Sequence, residues 1–457
     1  MSRAPLAVAV LALVALVLAA CGGGGGQGSG SASPQATTSA TPGADGEATA
    51  SARGPAWPTY GGSASRSGVV PGAPATPKLR RRFARDVDGQ VYAQPLIARG
   101  RIYVATENNT VYAFTTGGKL VWQRHLGAPV PGGDLPCGNI DPSGITSTPV
   151  IAGGRLFAVA FQRDRHRHVL FGLRLGDGGI AVEANVDPPN ALVEQQRSAL
   201  LAAHGRIYVA YGGLFGDCGP FRGYVVSTDQ RGRARLDYRN PATEAGIWAP
   251  AGISAQSGTL LVSTGNGGAG GFGYQNSVIR LSPALRRLGF WAPRDWSSLS
   301  AGDVDESSLA PLPVSGGRVF QIGKDGVGYL LRHSLDGVDG QEFSAPVCGD
   351  GAFGADAFRA PLAIVPCGDS LSGLRIIQNR RFEIAWTSGA GGMVPLIAGD
   401  SVFAITRDGT LNQLRFSDGR KVASTPVGAQ ATSFPAPAAA GHTLVAPAGA
   451  RIVVFSS

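Results

Sequence analysis

The chain of 457 residues contains 40 basic and 31 acidic side chains, together with 68 glycines and 31 prolines. So many turn-forming residues are typical of a turn-rich all-β protein and argue against a helical bundle. The net charge of +9 comes almost entirely from arginine. It indicates either attraction to anionic head groups and cell-wall polymers or a solvated basic face. No motif interleaves aromatic and basic residues, so we expect no nucleic-acid partner.

Residues 1–20 have the composition of an export signal. Arg3 supplies the positive start, and Ala4–Ala20 is an apolar run that is short for a membrane span but suits a signal peptide. The tetrapeptide LAAC, ending at Cys21, resembles a bacterial lipobox, which implies that Cys21 is lipidated. The alternative is an ordinary secretory signal or a membrane anchor. We therefore expect a protein held on the extracytoplasmic face of the cell membrane by its N-terminal lipid.

Residues 21–56 are predicted to form a disordered tether. Five consecutive glycines are followed by Ser, Ala, Thr, Pro and Gln, a composition that cannot bury enough apolar surface to offset chain entropy. The glycine run lacks the Gly-Lys-Ser/Thr ending of a phosphate-binding loop. The tether would hold the folded body, residues 57–457, away from the lipid surface.

A repeat begins within Val91–Trp122. Four short apolar runs are separated there by Gly and Asn turn residues, which predicts a four-stranded antiparallel meander. Its second-strand phrase, GRIYVAT at Gly100, returns in related form at residues 154, 205, 258, 317, 361, 400 and 442. Since one such sheet leaves its apolar faces bare, we predict that eight of them pack around an axis as an eight-bladed β-propeller.

The last unit and the first strand are predicted to complete each other. Ser433–Phe455 holds only three predicted strands, whereas Lys78–Val87 is strand-like and has no earlier partner. We predict that Lys78–Val87 supplies the outer strand beside Arg451–Phe455. This pairing would close the ring and remove exposed sheet edges, so a monomer is expected.

The repeat and three longer phrases resemble a known family. The repeat starts G-x-x-Y-V and ends Gly-x-x-x-Trp, as at Gly118–Trp122, and the phrases are CGNIDPSGITSTPV (Cys137–Val150), STGNGG…YQNSVIRLSP (Ser263–Pro283) and GKDGVGYLL (Gly323–Leu331). They resemble the pyrroloquinoline-quinone (PQQ)-like, quinoprotein alcohol dehydrogenase-like propeller lipoproteins of actinobacteria. The resemblance implies the propeller fold, but one fold of this kind serves many tasks.

Four cysteines besides Cys21 predict two disulfides in an exported chain, with three possible pairings. In a propeller meander, loops that follow second strands share one face with the blade-to-blade loops, which places all four cysteines on one rim. Cys348 and Cys367 flank the same blade and are paired for that reason, which leaves Cys137 with Cys218. A zinc site is the alternative, although no C-x-x-C spacing supports it.

The same rim carries the candidate site. Five long loops lie there, residues 127–144, 212–222, 265–275, 292–308 and 348–354, and binding surfaces of propellers are expected among such loops. Asp303, Asp305 and Glu306 offer hard oxygen ligands, with Asp303 and Asp305 as candidate calcium ligands and a solvated acidic turn as the alternative. Lys324 completes the candidate cofactor-binding set, or forms a plain turn with Asp325.

Two functions follow from the resemblance. Enzymes of the family use PQQ with calcium, an aspartate base and a stacking tryptophan, for which Trp248 and Trp296 are candidates. The chain has neither a vicinal cysteine pair nor a C-x-x-C-H haem motif. We therefore predict a binding or scaffolding protein with a protein or cell-envelope partner. The alternative is a dehydrogenase of alcohols or sugars that depends on PQQ and calcium.

Overall fold

The computed structural model describes residues 54–75, 77–164, 166–430 and 434–457. The predicted signal segment, the predicted lipidation site Cys21 and most of the predicted tether lie outside these ranges. Within them, no helix is both long and apolar enough to cross a membrane.

The described residues form eight sheets arranged as a ring, so the predicted eight-bladed β-propeller is confirmed. From the innermost to the outermost strand, the first four blades contain Leu96–Ala98, Arg101–Ala105, Thr110–Thr115 and Leu120–His125 (blade 1); Val150–Ala152, Arg155–Gln162, Arg167–Arg174 and Ile180–Asn185 (blade 2); Leu201–Ala203, Arg206–Gly213, Tyr224–Asp229 and Leu236–Arg239 (blade 3); and Ser254–Gln256, Thr259–Ser263, Val278–Leu281 and Arg287–Ala292 (blade 4).

The other four blades repeat this order. They contain Leu312–Pro313, Val319–Ile322, Val327–Leu331 and Phe343–Pro346 (blade 5); Ala357–Arg359, Leu362–Cys367, Ser370–Ile377 and Arg381–Ser388 (blade 6); Leu396–Ala398, Ser401–Ile405, Thr410–Arg415 and Lys421–Pro426 (blade 7); and Ala438–Ala440, Thr443–Pro447, Arg451–Ser456 and Arg80–Asp86 (blade 8).

A few short elements decorate the ring. Glu194–Gln195 adds to the second strand of blade 3, and Asp336–Val338 runs parallel to the outer strand of blade 4. The α-helix is Trp296–Ala301, and the 3₁₀ turns are Tyr60–Gly62, Gly132–Asp134, Glu306–Ser308 and Ser315–Gly317.

The first strand closes the ring as predicted. Arg80–Asp86 pairs antiparallel with Arg451–Ser456, with Arg85 opposite Ile452 and Asp86 opposite Arg451. The strand is slightly shorter than the predicted Lys78–Val87. Because its partner belongs to the last strand of the chain, the two ends of the propeller are held in one sheet.

Outer-strand tryptophans join neighbouring blades. Trp122 of blade 1 donates from Nε1 to the carbonyl oxygen of Leu175 in blade 2 at 3.0 Å. Its ring covers Gly178, where an added Cβ would lie 2.6 Å from a ring carbon. Trp386 of blade 6 covers Gly419 of blade 7 in the same way. The glycine in each of these turns has a positive φ and leaves room for the ring of the preceding blade.

The segment Trp57–Val70 lies at the mouth of the central channel, and we call it the plug. Trp57 exchanges two backbone hydrogen bonds with Ile97, of 2.7 and 3.0 Å. Further backbone bonds reach the middle residue of the inner strand in other blades: Ile151, Ala255, Phe358 and Ile397. The inner strands therefore find hydrogen-bond partners on the side that faces the axis.

Buried Arg66 fixes the plug from within. It donates from Nε to the carbonyl oxygen of Ile253 at 2.9 Å and from Nη2 to that of Leu200 at 3.0 Å. A third bond, from Nη1, reaches Thr59 Oγ1 at 2.6 Å. Burial lowers the pKa of this guanidinium to about 9, but its hydrogen bonds to carbonyl oxygens compensate for the lost water.

We expect Gly178→Ala to lower the free energy of unfolding by about 2–4 kcal/mol, since it combines a positive φ with a clash against the Trp122 ring. Thermal or urea unfolding measures the change. Gly176→Ala is the matched control in the same turn, because an added Cβ there meets nothing within 4 Å. Equal losses in the two variants would contradict the docking role of Trp122.

Candidate functional site

The loop-bearing face holds a chamber of about 760 Å³. Each of the five long loops singled out in the sequence contributes to its wall, through Asn139, Phe215, Asn266, Asp303 and Phe353. The five loops come from different positions around the ring. The chamber is thus a product of the whole face rather than of one blade.

Both disulfides are formed with the predicted pairing, Cys137–Cys218 and Cys348–Cys367. The first bond joins the loop at residues 127–144 to the loop at residues 212–222. The second joins the loop at residues 348–354 to the end of a strand in blade 6. Three of the five loops that form the chamber are therefore covalently held.

Lys324 lies at the centre of the predicted acidic group. Its Nζ is 2.6 Å from Asp305 Oδ2 and 3.1 Å from Asp303 Oδ1. Burial works to lower the pKa of Lys324, but the two carboxylates outweigh it, so the pKa is raised. The ammonium group is charged at neutral pH and neutralises part of the acidic group.

The three predicted acidic residues differ in their surroundings. The Asp303 side chain is 74% exposed, as the solvated-turn alternative required, whereas Asp305 is 10% exposed and faces the chamber. Glu306 is fully buried in the wall behind the chamber. Burial and the neighbouring carboxylate of Asp325 raise the pKa of Glu306 well above its usual range, which favours the neutral acid.

Asn266 belongs to the site, although it was not among the candidate residues predicted from the sequence. It lies in the phrase STGNGG, which carries part of the family resemblance. Its backbone N–H donates to Asp305 Oδ1 at 2.8 Å, and its side-chain amide donates to Asp303 Oδ1 at 2.8 Å. Gly265 allows this approach, because an added Cβ would lie 2.2 Å from Asp305 Oδ1. Two glycines flanking a polar residue were the available signal for a close contact with the backbone.

The apolar part of the chamber includes Trp248, one of the two predicted stacking candidates. Lys324 Nζ lies 5.9 Å from the centre of its ring, a weak cation–π contact. Trp296 instead packs against Phe272, with ring centres 5.1 Å apart, outside the chamber wall. Phe215 stands at the rim with 62% of its surface exposed. The chamber thus offers an aromatic wall beside a charged one.

Arg197 and Arg407 also line the chamber, although no sequence pattern points to them. Arg197 follows the outer strand of blade 2, and Arg407 lies in a turn of blade 7. Isolated arginines in a chain with 36 of them carry no local signal. Only the ring brings these two together.

A calcium ion does not fit the acidic group as it is arranged. Within the described ranges, no cluster of three or more His, Cys, Asp or Glu side chains could hold a metal. Lys324 already occupies the position between Asp303 and Asp305, whereas calcium requires six to eight oxygen ligands. The proposed metal role of Asp303 and Asp305 stays a prediction, and no chemical step is derived from it.

Comparisons with known proteins agree with this architecture. The family profile described as outer membrane protein assembly factor BamB matches residues 80–136. No curated protein matches the chain at a significant level. Quinohemoprotein alcohol dehydrogenase from Comamonas testosteroni is 15% identical with a TM-score of 0.67, over 90% of this chain and 81% of that chain. The fold is a PQQ-like β-propeller.

Two other solved structures show how widely this PQQ-like propeller is used. A europium-containing methanol dehydrogenase is 13% identical with a TM-score of 0.69, over 88% of this chain and 98% of that chain. BamB from Moraxella catarrhalis is 12% identical with a TM-score of 0.57, over 83% of this chain and 98% of that chain. At these identities the similarity concerns the fold alone.

A buried carboxyl below the channel mouth makes stability depend on pH. Burial raises the pKa of Glu107 to about 7, although Gly144 N–H and the Thr146 hydroxyl donate to Oε2 at 2.7 and 3.1 Å. The folded state therefore holds a proton that the unfolded state has lost between pH 4.5 and 7. Stability contributed by this proton is full at low pH and is lost as the pH rises through about 7.

We expect Glu107→Gln to flatten the pH dependence of unfolding. The slope between pH 5 and 7 should become less steep by up to about 1.4 kcal/mol per pH unit, because one titrating group is removed. Urea unfolding at several pH values measures it. Asp134→Asn, which removes an exposed carboxylate that pairs with Arg163, is the control. An unchanged slope in Glu107→Gln would show that this group does not titrate in the window.

Proposed function

We propose that this protein is a lipid-anchored binding protein on the extracytoplasmic face of the membrane, which recognises a cell-envelope partner through its loop-bearing face. The convergence of all five long loops on one chamber carries the proposal. Disulfides hold three of these loops, which lowers the entropy that a partner must overcome on binding. The similarity to BamB supports a role in protein contacts at the envelope.

The chemistry of the chamber favours recognition over catalysis. Asp305, the carboxylate of the acidic group that is enclosed and faces the chamber, is engaged by the Lys324 ammonium and by the N–H of Asn266. A general base needs a free lone pair directed at its substrate. At the rim, Phe215 presents a large apolar surface on a loop held by the Cys137–Cys218 bond. Rigid exposed aromatic side chains of this kind are frequent anchors in protein interfaces.

Photo-crosslinking in intact cells tests the binding function. A benzoylphenylalanine in place of Phe215 should give a discrete adduct with an envelope component. The same group in place of Leu288, which is 56% exposed on the outer strand of blade 4, is the matched control and should give none. Adducts at position 288 but not at 215 would contradict the assignment of the loop-bearing face.

The anchor is tested within the same experiment. The Cys21→Ala chain should be recovered from the medium instead of the membrane fraction, because only the lipid is expected to retain it. If the partner is itself bound to the envelope, the Cys21→Ala chain should also form less adduct at position 215 than the chain that keeps Cys21. Retention of Cys21→Ala in membranes would contradict the lipid anchor and would indicate that an uncleaved hydrophobic segment holds the protein.

The second candidate function is a dehydrogenase of alcohols or sugars that uses PQQ and calcium. It is favoured by one observation, that Trp248, Lys324, Asp303 and Asp305 line the same chamber. Dye reduction by the full chain with PQQ, calcium and a panel of alcohols and aldoses tests it. Because Lys324 occupies the cation position, we expect no turnover. Turnover that disappears in Asp305→Ala would establish the enzyme and overturn the binding proposal.

A further inference from the structure

A second cavity of about 340 Å³ adjoins the chamber at the mouth of the central channel, and we call it the shaft. Its wall includes Tyr60 of the plug and residues from the loops around the axis. The shaft and the chamber share four wall residues, Asn139, Arg197, Arg407 and Phe434. One ligand can therefore occupy both cavities.

The two cavities differ in charge. The chamber wall carries four carboxylates, those of Asp217, Glu244, Asp303 and Asp305. Among the described residues that line the shaft there is no carboxylate, and both of its charged residues, Arg197 and Arg407, are cations. Hydrogen-bond donors complete the wall, with the amide of Asn139 and the hydroxyl of Thr148 among them.

Neither arginine has a counter-ion in the described part of the chain. Arg197 is half-buried and makes one hydrogen bond, from Nη2 to Gln195 Oε1 at 2.8 Å. Burial lowers its pKa, although Tyr92, Glu107 and Asp217 oppose the shift. Arg407 is exposed and forms neither a hydrogen bond nor an ion pair with a described residue. By contrast, Arg318 donates two hydrogen bonds to the carboxylate of Glu342, from Nε and from Nη2.

Tyr60 adds an unused donor to the shaft wall. Its side chain is 3% exposed, and its hydroxyl has no hydrogen-bond partner among the described residues. A buried hydroxyl without a partner destabilises the folded protein, and a hydrogen bond to a ligand oxygen would offset that cost.

We propose that the shaft binds the anionic group of a ligand, a carboxylate or a phosphate, with Arg197 and Arg407 as its cationic contacts. Guanidinium groups suit both anions, since their planar donors match two oxygens at once. The body of the ligand extends into the chamber beside Trp248. There the four carboxylates disfavour a second anion and favour hydroxyl or amino groups. This assignment rests on the proposed binding function and adds the chemical class of the ligand.

Isothermal titration calorimetry of the full chain in detergent micelles tests the anion site. The probes are inorganic phosphate and citrate, at constant ionic strength set with chloride, and they distinguish the two anion classes. At least one probe should bind with a dissociation constant of about 10 mM or tighter, the order expected for a small anion held by two arginines. Arg197→Gln and Arg407→Gln should each weaken binding about tenfold or more.

Arg294→Gln is the matched control, because Arg294 lies on the same face, is 82% exposed and contacts Asp339 outside the shaft. It should bind the probes like the natural chain. Thermal unfolding should show that Arg407→Gln folds normally, since Arg407 is exposed and forms no hydrogen bond or ion pair with a described residue. Failure of both anions to bind, or equal binding by Arg407→Gln and the natural chain, would overturn the inference. A crosslink at position 215 together with either result would leave the proposed function intact.

Discussion

The structure depends on sheets that are buried on both faces. Strands such as Arg101–Ala105 and Thr110–Thr115 of blade 1 are almost completely buried along their length, while the outer strand Leu120–His125 is mostly exposed. A sheet with two apolar faces needs a neighbour on each side, and only a closed ring gives every blade two neighbours. Arg80–Asp86 supplies the last strand of that ring, so the two ends of the propeller must meet for every blade to be covered on both faces.

Much of this architecture could be predicted from the sequence because its causes are local. The short apolar runs and the spaced Gly and Asn turns identify strands, and the missing fourth strand of the last unit identifies its partner. The disulfide pairing follows from the alternation of faces along a meander. In each case, residues close in sequence, or the regularity of the repeat, determine the contact.

The site could be predicted only in part, because its contacts join distant parts of the chain. Asp303 and Asp305 look alike in sequence, but only Asp305 is enclosed, since the loop with Asn266 folds over it. Arg197 and Arg407 line the same two cavities, although they are far apart in the chain. The plug was not foreseen because its partners are backbone groups of inner strands, which leave no pattern in side chains.

The plug also bears on the proposed ligand site. An open channel of a propeller is filled by water, which screens the charges that line it. Here Arg197 is half-buried and shares its cavity with Tyr60 of the plug. Its charge is therefore less screened than that of a surface arginine. The charge of Lys324 is already neutralised by the carboxylates of Asp303 and Asp305. Among the cations that line the chamber, Arg197 and Arg407 are thus the ones available to the proposed anionic ligand.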